Sequence, residues 1–311
     1  MSYEFNPLCK RVKCEGLTFE VVLNHARFQY VKSTLEKTRL VNNDRQALLG
    51  TKRAILPHMP PPGNEVCQLC DVEKSPLCIT QLCFRGKDYI LVANPRPWGY
   101  SNFMLVTANP QPQSMTAVEL RAGFELINHL GPDFEAIFTG VKAGASVYHF
   151  HLQIHKGSAA IWENLEAQQI RKTTFFAKRG ITASFVEGWP ARSFLFEGSH
   201  PEQLSALVAS FIATLTEGDN DFSYNIGFHR KDVFRLIVFP RSGEEQPVCM
   251  AGHPDSWGRF GFSELGGSVF LLTQEAYSTI GESGGMLYDA ISEMSINSSE
   301  HAKLLSACQA L

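Results

Sequence analysis

The sequence predicts an antiparallel α+β protein. Three observations carry this reading. Strand-length apolar runs alternate with turn signals over residues 86–156, one capped amphipathic helix interrupts them, and a similar helix-strand-strand series returns over residues 199–239. The first region reads strand, strand, helix, strand, loop, strand.

Taken in order, residues 1–56 read as an irregular N-terminal region with some helical character. Pro57-His58-Met59-Pro60-Pro61-Pro62-Gly63 is a loop, because a run of prolines has neither the donors nor the backbone freedom for a helix or central strand. Tyr89–Ala93 and Asn102–Thr107 read as strands joined by the turn Asn94-Pro95-Arg96-Pro97-Trp98-Gly99. Thr116-Ala117-Val118-Glu119 is a capping box, Leu120, Phe124 and Ile127 follow at helical spacing, and Gly131-Pro132 stops the helix. The strand Glu135–Thr139 precedes a loop of small residues, and Tyr148–His155 is the next strand. In the second half, Ser199-His200-Pro201-Glu202 opens a helix carrying Leu204, Leu207, Val208, Phe211, Ile212 and Leu215. Strands Phe222–Phe228 and Val233–Phe239 follow across a turn at His229–Asp232, and 273–311 reads as two short helices. The repeated order predicts a duplicated unit. The expected divisions are an N-terminal region, 1–62, a catalytic unit, 63–180, and a second unit completing the pocket, 181–311.

With 311 residues, 44% of them hydrophobic, the chain can form one large domain or two fused smaller ones, each with its own core. A net charge of -3 argues against bulk nucleic-acid binding, which needs a basic stripe. No apolar run approaches a membrane span, and Met1-Ser2-Tyr3-Glu4-Phe5-Asn6-Pro7 lacks a secretory pattern. Six of the eight cysteines have no regular spacing, so a reducing, cytoplasmic setting is expected.

The strand Tyr148–His155 carries the chemistry. Period two puts Tyr148, Phe150, Leu152 and Ile154 on a core face and His149, His151, Gln153 and His155 on the other, expected to be open. A neutral imidazole is a good nucleophile toward phosphorus, since its attacking nitrogen carries no proton near neutral pH. His151 sits mid-face, flanked by His149 and Gln153. In the preceding loop, Gly144, Ala145 and Ser146 offer N–H groups and a hydroxyl to phosphate oxygens, and Lys142 adds a cation. His155 lies about 13 Å along the strand from His151 and reads as peripheral. Cys67-Gln68-Leu69-Cys70 has zinc-ligand spacing, yet it supplies two of the four ligands a structural zinc takes. Two reduced thiols in a turn is the simpler reading; the other is half of a zinc site completed by His149 and a further ligand.

Gly144-Ala145-Ser146 followed by His149-x-His151-x-Gln153 resembles the active-site motif of the galactose-1-phosphate uridylyltransferase branch of the histidine-triad superfamily. That branch includes the diadenosine tetraphosphate and GDP-hexose phosphorylases. Leu23-Asn24-x-x-Arg27, Gly140–Ser146, Asn225, Phe239-Pro240-Arg241 and Gly266-Gly267 are similar to further family segments, so the resemblance runs from about residue 19 to 275. It implies a histidine-triad-like antiparallel sheet with helices, built as two fused units. It also implies a nucleotidyl-His151 intermediate, His149 orienting it or binding a structural metal, and Gln153 holding the nucleotidyl phosphate. Gln in that place implies transfer, where the hydrolases keep His. Lys142 and Arg27 are the implied phosphate contacts, and base selection falls around Asn94–Trp98.

The implied donor is an NDP-sugar or dinucleoside polyphosphate and the acceptor phosphate or a sugar phosphate, with no nucleic-acid or membrane partner, in a monomer or homodimer. The alternatives are a nucleotidyl hydrolase, or a zinc-dependent enzyme using His149 and His151 as ligands, which the absence of nearby Glu or Asp in the sequence disfavours. Relatives with Cys-x-x-Cys complete a zinc site with a histidine shortly before the first helix. Here that stretch is Asn109-Pro110-Gln111-Pro112-Gln113, with none, and Glu245-Gln246-Pro247 replaces a His-Arg-Pro. Zinc is the one cofactor the sequence suggests.

Overall fold

The computed structural model describes residues 8–23, 67, 69–70, 72–94, 97, 100–145, 147, 149–216, 222–241, 260–271, 274–280 and 284–308. Arg27, Ser146, the proline-rich loop and Glu245-Gln246-Pro247 lie outside them.

Ten strands form one antiparallel sheet. They are β3 (Cys78–Phe84), β4 (Lys87–Ala93), β5 (Tyr100–Thr107), β6 (Phe134–Thr139), β7 (His151–Lys156), β8 (Arg171–Lys178), β9 (Ile181–Glu187), β10 (Ser193–Gly198), β11 (Ser223–Arg230) and β12 (Phe234–Arg241). Their order is β3-β4-β5-β7-β6-β11-β12-β10-β9-β8. Counted from its own outer edge, each half has the same arrangement, three strands in sequence followed by the fifth and then the fourth. Helix α1 (Ala117–Leu130) precedes β6 and α3 (Pro201–Thr216) precedes β11, so the helices repeat as well. The β8/β9 hairpin straddles residue 180, and β6 pairs β11 in the middle, so one sheet runs through both halves.

The capping box forms as the sequence predicts. Thr116 accepts from the Val118 N–H while the Glu119 carboxylate accepts from the Thr116 N–H. A cap of this kind stabilises a helix by about 1 kcal/mol.

The N-terminal region differs from expectation. Residues 8–23 are a hairpin of β1 (Leu8–Cys14) and β2 (Leu17–Leu23), not an irregular or helical segment. Glu15 and Gly16 turn it with φ of 50° and 83°, and Leu17, Phe19 and Val21 alternate inward. The strand that completes this small sheet, β13 (Ser268–Leu271), is parallel to β2 and lies at the far end of the chain. The C-terminal part holds three helices rather than two, α5 (Gln274–Ile280), α6 (Gly284–Glu293) and α7 (Ser298–Cys308). Among the described residues, no helix is long and apolar enough to cross a membrane.

Both faces of the large sheet are covered. On one, Phe138, Phe150, Leu152, Ile154, Ile226 and Phe228 pack against α1, α3 and α7. On the other, Ile137, Ile237 and Phe239 meet Trp162 of α2 (Ala160–Glu166), Phe262 of α4 (Phe262–Leu265) and Phe19 of the small sheet. Side chains alternate along β7, so His151, Gln153 and His155 face this second layer. The expected open face is therefore closed, and His149, His151 and His155 are all buried.

Gly227 marks how closely α4 approaches the sheet: a Cβ there would lie 2.0 Å from Phe262 Cζ. Gly227→Ala should lower stability by about 1–3 kcal/mol through overpacking, read from urea or thermal unfolding. Strand propensity alone would have Ala stabilise.

Candidate active site

Strand β7 begins at His151, and Tyr148 lies outside the described residues. His149 leaves the predicted strand and bridges Pro112, in the segment before α1. Its imidazole is held at both nitrogens. Nε2 lies 2.9 Å from the Thr107 carbonyl oxygen and 3.2 Å from its Oγ1. A carbonyl only accepts, so Nε2 carries the proton and Nδ1 presents a lone pair. Nδ1 lies 3.6 Å from Cys67 Sγ and 3.7 Å from Cys70 Sγ. Tetrahedral zinc with ordinary Zn–S and Zn–N bonds separates such atoms by about 3.6 Å. The three ligand atoms all lie within 4.8 Å of one another. Burial, the largest influence, pushes the Cys67 thiol up, but the neighbouring His149 ring, Cys70 and the Leu69 backbone together outweigh it and bring the thiol to about 7. A softened thiol, a lone pair aimed at it and a hydrogen-bonded second nitrogen are the donor set and outer support that zinc requires. Among the described residues no fourth His, Cys, Asp or Glu joins the group, and His151 is not part of it.

His151 is oriented by the next bond in the chain. Its Nδ1 lies 2.9 Å from the His149 carbonyl oxygen. Nδ1 is therefore the protonated nitrogen, and Nε2 keeps its lone pair. Burial, the largest influence, pushes the His151 imidazole below its usual range, which keeps it neutral at neutral pH. Its main chain is gripped by Gln113, whose Oε1 accepts from His151 N–H at 2.8 Å and whose Nε2 donates to His151 O at 3.2 Å and Thr139 O at 2.9 Å. Gln153, two residues on, is half-buried between Met104 of β5 and Ile137 of β6.

The small-residue loop joins β6 to the histidines and is braced by β11. Gly140 N–H donates to Tyr224 O at 3.0 Å, the Ser223 hydroxyl donates to Val141 O, and Asn225 Nδ2 donates to Ala143 O at 3.0 Å. Arg241 of β12 supports Asn225 through its Oδ1 and also donates to Phe260 O. Gly144 has φ 104°, a conformation that favours glycine, and a Cβ there would lie 3.1 Å from Phe260 O. The Ala145 N–H donates to Gly140 O at 3.3 Å, within the loop itself. Lys142 is exposed, with φ 63°. Asn94 sits two strands from β7, donating to Asn102 Oδ1, and Asn102 donates in turn to Ile154 O.

Several of these contributors escaped the sequence reading. Gln113 lies in the stretch Asn109–Gln113, where spacing singles out no functional residue. Glu135 lies opposite His155 in the β6/β7 register, so an acid does stand beside one of the histidines. The carboxyl accepts from Trp162 Nε1 at 2.6 Å and Ala159 N–H at 3.0 Å, with His155 Nε2 3.6 Å away. Burial pushes Glu135 up to about 8 and His155 down to about 3. At neutral pH both are uncharged, and the contact is a neutral acid beside a neutral imidazole.

The family GDPGP1-like, C-terminal domain matches residues 164–311. Among solved structures, yeast Ap4A phosphorylase Apa2 superposes with a TM-score of 0.60 at 14% identity, covering 94% of this chain and 90% of that one. Apa2 in complex with Ap4A gives 0.60 at 16% identity, with the same coverage. Apa2 with AMP gives 0.59 at 15% identity, covering 94% and 89%. The fold is similar to that of yeast Ap4A phosphorylase Apa2 over nearly the whole chain. A search of curated protein sequences finds no match. Within this fold the described candidates His149, His151 and Gln153 fall on and beside a central strand.

Glu135 gives a pH prediction. Its pKa is raised on folding, so the native chain keeps a proton that the unfolded chain releases in the ordinary carboxylate range. Its contribution to stability is full below that range and is lost as pH rises toward about 8. The melting-temperature difference between wild type and Glu135→Gln should therefore shift in favour of the variant between pH 5 and 8, as scanning calorimetry would register.

Proposed function

We propose that this protein is a nucleotidyltransferase of the phosphorylase type, acting through a nucleotidyl-His151 intermediate. The observation that carries the reading is the His151 Nδ1–H bond to the His149 carbonyl, which leaves Nε2 as the lone-pair nitrogen of a neutral, buried residue. The likeness to an Ap4A phosphorylase fold supports the choice of chemistry.

In the first step Nε2 donates its lone pair to the α-phosphorus of an NDP-sugar or dinucleoside polyphosphate. The P–N bond forms as the P–O bond to the leaving group breaks, and the leaving group departs with that electron pair. Nδ1 keeps its proton throughout, and the His149 carbonyl stabilises the positive charge the ring acquires. In the second step an oxygen of inorganic phosphate or of a sugar phosphate attacks the same phosphorus. The P–N bond breaks and its electron pair returns to Nε2. Gln153 would hold a non-bridging oxygen, with Gly144, Ser146, Lys142 and Arg27 as further phosphate contacts and Asn94 near the base. Gln153, standing where hydrolases keep a third histidine, favours transfer over hydrolysis.

Cys67, Cys70 and His149 would hold a zinc ion. Bound there, zinc supplies structural constraint, fixing the residue whose carbonyl orients His151. This differs from the alternative in which His149 and His151 are both ligands, because among the described residues the clustered ligand atoms are those of Cys67, Cys70 and His149.

Ap4A and nucleoside diphosphate glucoses carrying ³²P at the α-phosphorus should leave acid-labile, base-stable label on the wild-type protein and none on His151→Ala. Label persisting on that variant would end the nucleophile assignment. Metal analysis should find about one zinc per chain, a stoichiometry set by one ligand cluster. Cys70→Ser should lose it, and wild type purified in zinc-containing buffer but free of metal would overturn the site.

A further inference from the structure

The antiparallel register of β6 and β7 pairs Phe134 with Lys156, Glu135 with His155, Ala136 with Ile154 and Ile137 with Gln153. Continued by two residues, it would pair Thr139 with His151. That pair does not form, although Thr139 still belongs to β6 and faces Asn225 of β11 on its other side. The Gln113 amide stands in its place. Oε1 accepts from the His151 N–H, while Nε2 donates to the carbonyls of both His151 and Thr139. Only this orientation of the amide works, since its nitrogen faces two acceptors and its oxygen faces a donor. A side-chain amide thus replaces a main-chain pair and holds the strands apart at the residue where the loop begins.

The segment bearing Gln113 is anchored on both sides. Phe150 N–H donates to Gln111 O at 2.9 Å, Lys87 of β4 donates to the Gln111 side chain, and Met115 N–H donates to the Tyr224 hydroxyl of β11 at 3.2 Å. Gln113 is itself buried. We propose that Gln113 is a positioning residue for His151: its amide wedge splays β6 from β7 and fixes the main chain from which the imidazole projects. This rests on the nucleophile reading above for its catalytic consequence, but the wedge itself is a property of the fold.

Gln113→Leu removes all three bonds and risks unfolding, so Gln113→Glu is the deciding variant. As a carboxylate it accepts from the His151 N–H but repels two carbonyls; as a neutral acid it regains a donor. Among the described residues the amide's hydrogen bonds go to the main chains of His151 and Thr139, neither of which titrates, so the recovery follows protonation of the new side chain. Single-turnover labelling with α-³²P Ap4A and GDP-glucose should be at least ten-fold slower than wild type at pH 8, with half-saturating donor concentration changed less than two-fold. The deficit relative to wild type at the same pH should shrink several-fold by pH 6. Labelling equal to wild type, or a deficit constant across pH, would overturn the proposal.

A second measurement needs no nucleotide. In ¹⁵N-histidine spectra, with the His151 signal assigned by its loss in His151→Asn, wild type should show one Nδ1–H tautomer. Gln113→Asn, too short to span the gap, should replace it with an averaged signal. An unchanged tautomer would refute the wedge. If wild type takes no label, the transfer reading fails while the spectra still decide the role of Gln113.

Discussion

The antiparallel pairing of β6 with β11 is the contact on which the rest of the molecule is arranged. It joins the two halves into one sheet, from Asn225 opposite Thr139 to Phe228 opposite Ala136. Ser223, Tyr224 and Asn225 therefore lie beside the loop that leaves β6 and satisfy its polar groups. A loop made largely of Gly and Ala has few side chains with which to fix itself. Its shape is imposed from the second half of the chain, where Arg241 and Phe260 complete the support. The half without the histidines thus shapes the half that has them.

From that frame a series of directional bonds leads to one nitrogen atom. Thr107 fixes the proton on His149, His149 turns its lone pair to Cys67 and Cys70, and its carbonyl fixes the proton on His151. Each tautomer is selected by the previous partner. Because the histidines are buried, these bonds act in a low-dielectric setting where losing one leaves an unsatisfied group at high cost. The same burial favours the neutral imidazole that nucleophilic attack requires. Glu135 and His155, further along β7, show the alternative outcome, in which burial silences both charges and leaves a structural contact with Trp162.

Much of the fold could be read in the sequence where the signal was local. The Thr116–Glu119 capping box, the alternation of Phe150, Leu152 and Ile154, and the amphipathic spacing of α3 each sit within a few residues, and each formed as expected. The β1/β2 hairpin is not legible locally because its sheet is completed by β13, some 250 residues away. The polar side of β7 was read as open for the same reason. Alternation states that a strand has two faces, and it is silent on whether a second layer covers one of them.

For the site, the residue pattern fixed the identity of the nucleophile candidate and its neighbours, since His149, His151 and Gln153 lie within five positions and their chemistry is intrinsic to their side chains. It could not fix which imidazole nitrogen is free, that Cys67 and Cys70 meet His149, or that Gln113 stands between β6 and β7. Those facts depend on hydrogen-bond partners brought together from separate strands. Such directional contacts act over about 3 Å, a scale at which sequence separation carries no information.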